Sequence, residues 1–126
     1  MTVNQELGRR GERRAEQHYR KAGYTILARN MHVGRSEIDL LVRSPDQSTI
    51  VIVEVKTSSA SLHRAHAALD RPKRRRIAAA ARTLKKLGML HGHELRIDGV
   101  LVEWSGSRPR VVVLEGPVLQ GADHPA

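Results

Sequence analysis

The sequence predicts an α/β domain in which a mixed β-sheet is flanked by helices, in the order α-βββ-α-ββ. Two segments place small and apolar residues at spacings of three and four, which is typical of helices that pack on a sheet. Five other segments are short, rich in Val, Ile and Leu, and bounded by turn residues, which is typical of strands. The 126 residues suit one domain, and we assign 1–116 to it and 117–126 to a loose C-terminal tail.

The first helix is predicted over 5–22, and Gly23 ends it. Its small and apolar side chains form one stripe, and Glu12 falls on that stripe four residues after Gly8. A carboxylate that faces inward is costly unless it is paired or coordinates a cation. Glu12 is therefore a candidate site residue, or an ordinary first-turn acid if the helix begins later.

Strands are predicted over 24–30, 36–43 and 49–57. The turn residues 44–48 join the last two of these into an antiparallel hairpin. The third strand is apolar on both faces until Glu54, as expected of a central strand that is covered on both sides.

The second half of the chain predicts one more helix and two more strands. The helix spans 71–86 and buries a stripe that includes Ile77 and Leu84. Strands over 95–103 and 110–115 follow it and complete the sheet.

Positive charge is concentrated in one segment. The chain carries 22 Lys and Arg against 13 Asp and Glu, a net charge of +9, and residues 71–93 hold eight of the cations without an acid. Such a segment is either a solvated helix face or a contact for a nucleic-acid backbone, and uncompensated charge favours the second. Only three residues are aromatic, so base-stacking modules are excluded.

Other function classes are excluded by composition. The absence of cysteine rules out disulfide frameworks and Cys-based zinc sites. No apolar run approaches the ~20 residues of a membrane span, and none follows Met1 as a secretion signal would. We therefore expect a cytoplasmic protein that does not contact membranes.

The predicted hairpin brings four charged side chains onto one face of the sheet. Side chains two residues apart on a strand share a face, which groups Glu37 with Asp39 and Glu54 with Lys56. If the loop is centred at 46–47, Asp39 lies opposite Glu54 and Glu37 lies opposite Lys56. A shift by one residue would separate the two pairs. A Glu37–Lys56 ion pair with a solvated Asp39 is the purely structural alternative.

The converging arrangement favours a divalent cation. Two opposed carboxylates, Asp39 and Glu54, stay ionised together only with a cation between them. Oxygen ligands of this kind suit Mg²⁺ or Mn²⁺, which keep several waters and bind substrate phosphates. Lys56 lies where its ammonium group could orient an attacking water or stabilise charge on a phosphate oxygen.

Six motifs, taken in order, resemble a known family. They are GRRGERRA at 8–15, GYTILARN at 23–30, SEIDLL at 36–41, VEVKT at 53–57, ALDRPK at 68–73 and LRIDGV at 95–100. The combination is similar to the YraN family, a group of bacterial proteins of poorly defined role. That family resembles the Holliday-junction-resolvase branch of the restriction-endonuclease-like fold. The resemblance implies a three-layer domain with a PD-(D/E)xK nuclease site.

The resemblance also implies roles for residues of this sequence. It implies Glu12, Asp39, Glu54 and Lys56 as catalytic residues, Asp39, Glu54 and the backbone carbonyl of Val55 as ligands of Mg²⁺ or Mn²⁺, and Glu37 as an additional candidate. Lys73, four residues before Ile77 on the basic helix, is a further candidate. The chain departs from the family pattern at Ser36, where the family usually has Gly. It departs again at 70–72, Asp-Arg-Pro, which replaces the usual Thr-Pro.

Two functions of different classes follow. The first is a metal-dependent nuclease that hydrolyses phosphodiester bonds, above all in structured or branched DNA. The second is a non-catalytic nucleic-acid-binding or adaptor protein on a nuclease scaffold. Symmetric dimers are frequent among resolvase-like relatives, so the resemblance implies a homodimer. In either case, we expect the nucleic acid to contact basic residues of the two helices: Arg9, Arg10, Arg13, Arg14, Arg71, Lys73, Arg74, Arg75, Arg76 and Arg82.

Overall fold

The computed structural model describes residues 2–58, 71–104 and 108–116, and its second helix carries described side chains from Arg75 onward. The predicted order α-βββ-α-ββ is confirmed in these ranges. The tail assigned to 117–126 lies outside them. The elements are α1 (Val3–Lys21), β1 (Thr25–Val33), β2 (Ser36–Arg43), β3 (Thr49–Ser58), α2 (Arg71–Lys86), β4 (Glu94–Glu103) and β5 (Arg110–Leu114).

The five strands form one mixed sheet in the order β1-β2-β3-β4-β5. Only β3 and β4 run parallel, and the other three neighbouring pairs are antiparallel. A parallel pair needs a connection that crosses one face of the sheet, and α2 belongs to that connection. β3 is central and buried from Ile50 through Val55, as its apolar sequence predicted.

The predicted register of the hairpin is confirmed. Leu40 pairs with Val53 and Leu41 with Ile52, so partner numbers sum to 93 as expected. The pairing of β2 with β3 ends at Leu40 and Val53, whereas β3 continues along β4 as far as Ser58. The two strands therefore part at the positions of Asp39 and Glu54, and the sheet opens there.

Within the described ranges, each face of the sheet carries one helix, which gives the predicted three layers. Ala15 and Tyr19 of α1 are buried against a cluster that includes Val42, Val51 and Val100 on one face. On the other face α2 buries the predicted apolar stripe against β2 and β3: Ile77, Ala78, Ala81 and Leu84. In the described ranges, no helix is both long and apolar enough to cross a membrane.

Local sequence signals set the ends of both helices. α1 begins at Val3, two residues earlier than predicted, because Thr2 and Gln5 form a reciprocal capping box. Gly23 and Gly88 follow the two helices with positive φ angles of 88° and 76°. Backbone N–H groups there fold back onto the last turns, from Tyr24 to the carbonyl of Tyr19 at α1 and equivalently at α2.

A close approach of α1 to β3 depends on Gly11. A Cβ atom at this position would lie 2.0 Å from Oγ1 of Thr57, so a larger residue would push the helix away from the strand. Gly8 lies on the same stripe, but a Cβ atom there would meet nothing within 4 Å. Gly11 therefore sets how closely its neighbour Glu12 approaches the open end of the sheet.

Candidate functional site

Asp39 lies where β2 and β3 part, and a backbone hydrogen bond holds its carboxylate. The backbone N–H of Val55 donates to Oδ2 of Asp39 over 2.8 Å. A charge-assisted bond of this kind fixes the carboxylate across the opening between the two strands. Sequence reasoning put Val55 forward for its carbonyl group, and it missed this N–H because no residue pattern shows where a strand ladder ends.

A cleft of about 260 Å³ opens beside Asp39 on the face that α2 covers. Glu37, Asp39 and Glu54 line it, with Arg76 of α2 at its wall. Only 3% of Glu54 is exposed, and a carboxylate so deeply buried needs cationic or hydrogen-bonding partners. Three of the four charged groups predicted to converge on this hairpin thus share one cleft.

A second cleft, of about 670 Å³, opens on the face that α1 covers. Glu37 and Asp39 line this cleft as well, together with Glu12, Arg9 and Arg13 of α1. Asp39 therefore forms part of both clefts, which we call the α2-side and α1-side clefts. Through the opening in the sheet, Asp39 thus lines a cleft on each face, and so does Glu37.

Glu12 faces inward, which excludes the alternative of a first-turn acid, since α1 begins nine residues before it at Val3. Burial, and then the negative charges of Asp39 and Glu37, raise the pKa of the Glu12 carboxyl to about 7. A hydrogen bond to Asp39 acts in the same direction, while Arg9 lowers the pKa. Asp39 and Glu37 are therefore close enough for their negative charges to favour the protonated form of Glu12.

Glu16 also lines the α1-side cleft, but an ion pair neutralises its charge. Arg29 contacts both carboxylate oxygens of Glu16, with Nη2 at 3.0 Å from Oε2, and Arg20 contacts it from the next turn of α1. These bonds lower the pKa of the Glu16 carboxyl to about 2. The acidic character of the cleft therefore comes from Glu12, Glu37 and Asp39.

The raised pKa of Glu12 predicts a pH-dependent gain in stability for Glu12→Gln. The folded protein holds this proton up to about pH 7, whereas the unfolded chain releases it near 4.5. The stability that Glu12 contributes is thus complete below pH 4.5 and is lost as the pH rises through 7. The melting temperature of metal-free Glu12→Gln protein should be higher than that of the wild type at pH 8, and the difference should be smaller at pH 5.

The exposed Glu6, on the same helix, provides the control for this measurement. Glu6→Gln removes the same charge without removing a buried carboxylate, so no gain should grow between pH 5 and pH 8. A melting difference for Glu12→Gln that stays constant over this interval would contradict the assignment.

Lys56 is not brought into the clefts with the carboxylates. It lies half-buried on β3, two residues beyond Glu54, and the described linings of the α1-side and α2-side clefts do not include it. Glu37 and Lys56 do not form the ion pair that the structural alternative required, since none of the ion pairs in the described part of the chain joins them. The role of Lys56 stays a prediction.

The predicted nucleic-acid contacts separate into several groups. Arg9 and Arg13 line the α1-side cleft, and Arg76 lines the α2-side cleft. Arg10 lies over the ring of Trp104, 4.5 Å from its centre. Of the remaining basic residues, Arg14, Arg75 and Arg82 are exposed. The side chains of Arg71, Lys73 and Arg74 lie outside the described part of the structure.

Ser36 connects β2 to the basic helix. Its hydroxyl group donates to the backbone carbonyl of Arg76 over 3.2 Å. The bond joins the residue before Glu37 to the helix turn that carries Arg76, and so ties the two walls of the α2-side cleft together. The departure from the family's Gly at this position thus supplies a contact that glycine could not make.

Sequence reasoning missed a buried polar network beside the site. Asp98 of β4 is fully buried and accepts hydrogen bonds from the Tyr19 hydroxyl at 2.7 Å, from Arg96 Nε at 2.9 Å and from the Gly116 N–H at 3.1 Å. Arg96 also donates to the hydroxyl of Tyr24 at 2.8 Å. An acid between Ile97 and the apolar run that begins at Val100 was the available signal, since such a residue is buried only with partners.

Comparison with known proteins gives one family. The sequence profile of the uncharacterised protein family UPF0102 matches residues 11–102. A UPF0102 protein of Rhodopirellula baltica is 38% identical over 114 residues, which cover 89% of this chain and 68% of that protein. A UPF0102 protein of Clavibacter michiganensis is 39% identical over 117 residues, which cover 90% of this chain and 97% of that one.

Two solved structures are similar to the chain at lower levels. A repair endonuclease from Pyrococcus abyssi matches with 21% identity and a TM-score of 0.40, over 79% of this chain and 38% of that one. SfsA of Pyrococcus furiosus in complex with Ca²⁺ matches with 17% identity and a TM-score of 0.29, over 89% and 63%. This chain thus spans less than two thirds of each of these structures.

Proposed function

We propose that this chain, which belongs to the uncharacterised protein family UPF0102, is a metal-dependent nuclease that hydrolyses phosphodiester bonds in nucleic acid, with structured or branched DNA as the preferred substrate. One observation carries the proposal. Asp39 is shared between two arginine-rimmed clefts at the point where two central strands part. The motif resemblance to the PD-(D/E)xK nucleases supports the same reaction.

The charge arrangement suits a phosphodiester. Arg9 and Arg13 on one side and Arg76 on the other present cations at the rims, where they can bind phosphate oxygens. The interior is acidic, and carboxylates repel a phosphate unless a cation lies between them. The site therefore combines a surface that attracts a polyanion with a centre that needs a metal ion to accept it.

The donor atoms of the site fit Mg²⁺ or Mn²⁺. Asp39 and Glu54 supply carboxylate oxygens in one cleft, and the carbonyl of Val55 is the predicted third protein ligand. In the described ranges no group of three or more acidic, His or Cys side chains is arranged to hold a metal. Waters and substrate phosphate would fill the other positions, as is usual for Mg²⁺. When bound, the ion would polarise the phosphate and lower the pKa of a bound water.

In the proposed hydrolysis, the residues of the chain have separate roles. Arg9, Arg13 and Arg76 orient the phosphodiester, and Asp39 keeps its position through the Val55 N–H. Glu12, whose pKa is raised to about 7 in the metal-free protein, is the group we assign to take a proton from the attacking water. The lysine role that the resemblance implies for Lys56 is to stabilise charge on the phosphate oxygens.

A second candidate function is favoured by the position of Lys56. Because Lys56 lies outside both described clefts, the site can also be that of a nucleic-acid-binding or adaptor protein that keeps the scaffold without the reaction. Binding of nucleic acid is common to the two functions, so only cleavage separates them.

A panel of labelled substrates tests the proposal. Linear duplex, single strand, flap and four-way junction DNA, with an RNA duplex beside them, are incubated with Mg²⁺, Mn²⁺ or EDTA. We expect cleavage in the presence of either metal, most rapid on a branched DNA, and none in EDTA. Salt-dependent binding to the panel without cleavage in either metal would overturn the nuclease and support the adaptor.

A further inference from the structure

A basic pocket lies at the C-terminal end of α2, away from the acidic clefts. Its volume is about 760 Å³, and we call it the distal pocket. Its basic and acidic lining residues are Arg82, Lys85, Lys86, His91, His93 and Glu94. We propose that the distal pocket is a second phosphate-binding site, which holds the backbone of the nucleic acid that occupies the clefts. This inference rests on the proposed function.

The wall of the distal pocket is preformed. The turn after α2 contains Gly88 and Gly92, both with positive φ, and backbone hydrogen bonds hold it at its start and within it. Within the turn, the N–H of His91 donates to the carbonyl of Gly88 at 3.2 Å, and the N–H of His93 donates to the carbonyl of Leu90 at 2.9 Å. Leu90 is 8% exposed and belongs to the core under α2. A turn so anchored loses little conformational freedom when a ligand binds.

The polar atoms of the pocket suit a phosphate. Three Lys and Arg side chains and two imidazoles line the pocket, together with a single carboxylate, that of Glu94. The ring of His93 is oriented by its Nδ1, which donates to the carbonyl of His91 over 3.0 Å. Lysines in the last turn of a helix also interact favourably with the helix dipole. That role accounts for Lys85 and Lys86, but it does not account for Arg82 and the two histidines at the same cavity.

The helix itself sets the distance between the two sites. Arg76 lines the α2-side cleft, and Lys86 lies ten residues further along α2, which is about 15 Å at the rise of an α-helix. Nucleotides along one strand of B-DNA are spaced by about 3.4 Å, so this distance corresponds to four or five base pairs. The substrate class is therefore a nucleic acid with a duplex arm of at least this length on one side of the phosphate that reacts.

Charge reversal in the distal pocket tests the inference without cleavage. Binding of a 24-base-pair DNA is measured in EDTA with Lys85→Glu/Lys86→Glu protein. The control is Lys21→Glu/Arg108→Glu, which makes the same change in net charge at exposed positions, one of them also in the last turn of a helix. We expect at least a tenfold loss of affinity for the pocket variant and less than threefold for the control. The slope of log Kd against log salt should fall by about 2 in the pocket variant alone.

Equal losses in the two variants would overturn the inference, since they would show only the effect of net charge. Inorganic phosphate and vesicles with anionic lipid distinguish other sources of phosphate. If the wild type binds such vesicles, and the pocket variant loses this binding but keeps its affinity for DNA, the pocket serves a membrane and the inference fails. A melting profile of each variant shows that it is folded.

The failure of this inference and that of the proposed function can be told apart. If the substrate panel is cleaved and the pocket variant binds DNA like the control, the nuclease stands and the distal pocket does not bind phosphate. If the pocket variant loses DNA binding but no substrate is cleaved in metal, the distal pocket stands and the nuclease does not. Where the panel shows a cut site, the duplex can be trimmed to three base pairs on one side of that site. The pocket variant and the wild type should then bind the trimmed DNA with equal affinity.

Discussion

Replacement of Asp39 by Asn is expected to lower metal-dependent cleavage by roughly two to three orders of magnitude while DNA binding changes less than threefold. The substitution keeps the size of the side chain and can still accept the N–H of Val55 through its amide oxygen. It removes one of the two carboxylates that line both clefts, and with it a proposed metal ligand. The rims that attract the polyanion, formed by Arg9, Arg13 and Arg76, are unchanged.

Single-turnover cleavage of the preferred substrate in Mn²⁺ measures this effect. Asp46→Asn is the matched control, because it makes the same chemical change at the exposed turn of the same hairpin. Mn²⁺ should raise the melting temperature of the wild type and of Asp46→Asn, but not that of Asp39→Asn. Undiminished cleavage by purified Asp39→Asn protein would remove Asp39 from the mechanism.

The hairpin register could be predicted from the sequence because two independent constraints agreed. The turn at 44–48 fixed where the chain reverses, and the two-residue period of a strand fixed which side chains share a face. Together they placed Asp39 next to Glu54, as the pairing of Leu40 with Val53 shows. The end of the ladder could not be predicted in the same way, since it depends on how β2 and β3 diverge in three dimensions.

The contribution of each helix to the site was predictable in kind and not in position. Composition alone marked the basic helix, and the stripe on α1 marked Glu12 as inward-facing. Which arginine reaches a cleft depends on the rotation and height at which a helix packs on the sheet. For that reason Arg76 lines the α2-side cleft while Arg82, on the same charged segment, lies at the distal pocket. The closeness of Glu12 to Asp39 depends on the missing side chain of Gly11.

The Asp98 network ties the helix that carries Glu12 to the centre of the sheet. Tyr19, seven residues after Glu12 on α1, donates to Asp98 on β4, and Arg96 forms a two-nitrogen ion pair with the same carboxylate. Burial and the negative charge of Asp98 raise the pKa of the Tyr19 hydroxyl, so it stays a donor across the working pH range. The Tyr19–Asp98 bond is buried and the other bonds of the network are partly buried, so polar groups left unpaired there are costly.

Asp98→Ala should therefore destabilise the protein by about 3–5 kcal/mol, because it leaves Arg96 and the Tyr19 hydroxyl without their shared acceptor. That is a large share of the roughly 5–15 kcal/mol that stabilises a typical domain. Urea unfolding measures the loss, and Glu94→Ala, at an exposed position of the same strand, should change stability by less than about 0.5 kcal/mol.

Tyr19→Phe isolates the connection between α1 and the sheet. Removing its hydroxyl group leaves the Arg96–Asp98 ion pair in place, so the cost should be smaller, about 1–3 kcal/mol. If Asp98 acts only by filling space, Asp98→Ala and Asp98→Leu would differ widely in stability, and Tyr19→Phe would leave stability unchanged. A loss for Tyr19→Phe, together with comparable losses for Asp98→Ala and Asp98→Leu, identifies the hydrogen bonds as the source of stability. The carboxylate of β4 then holds α1, and with it Glu12, against the opening in the sheet.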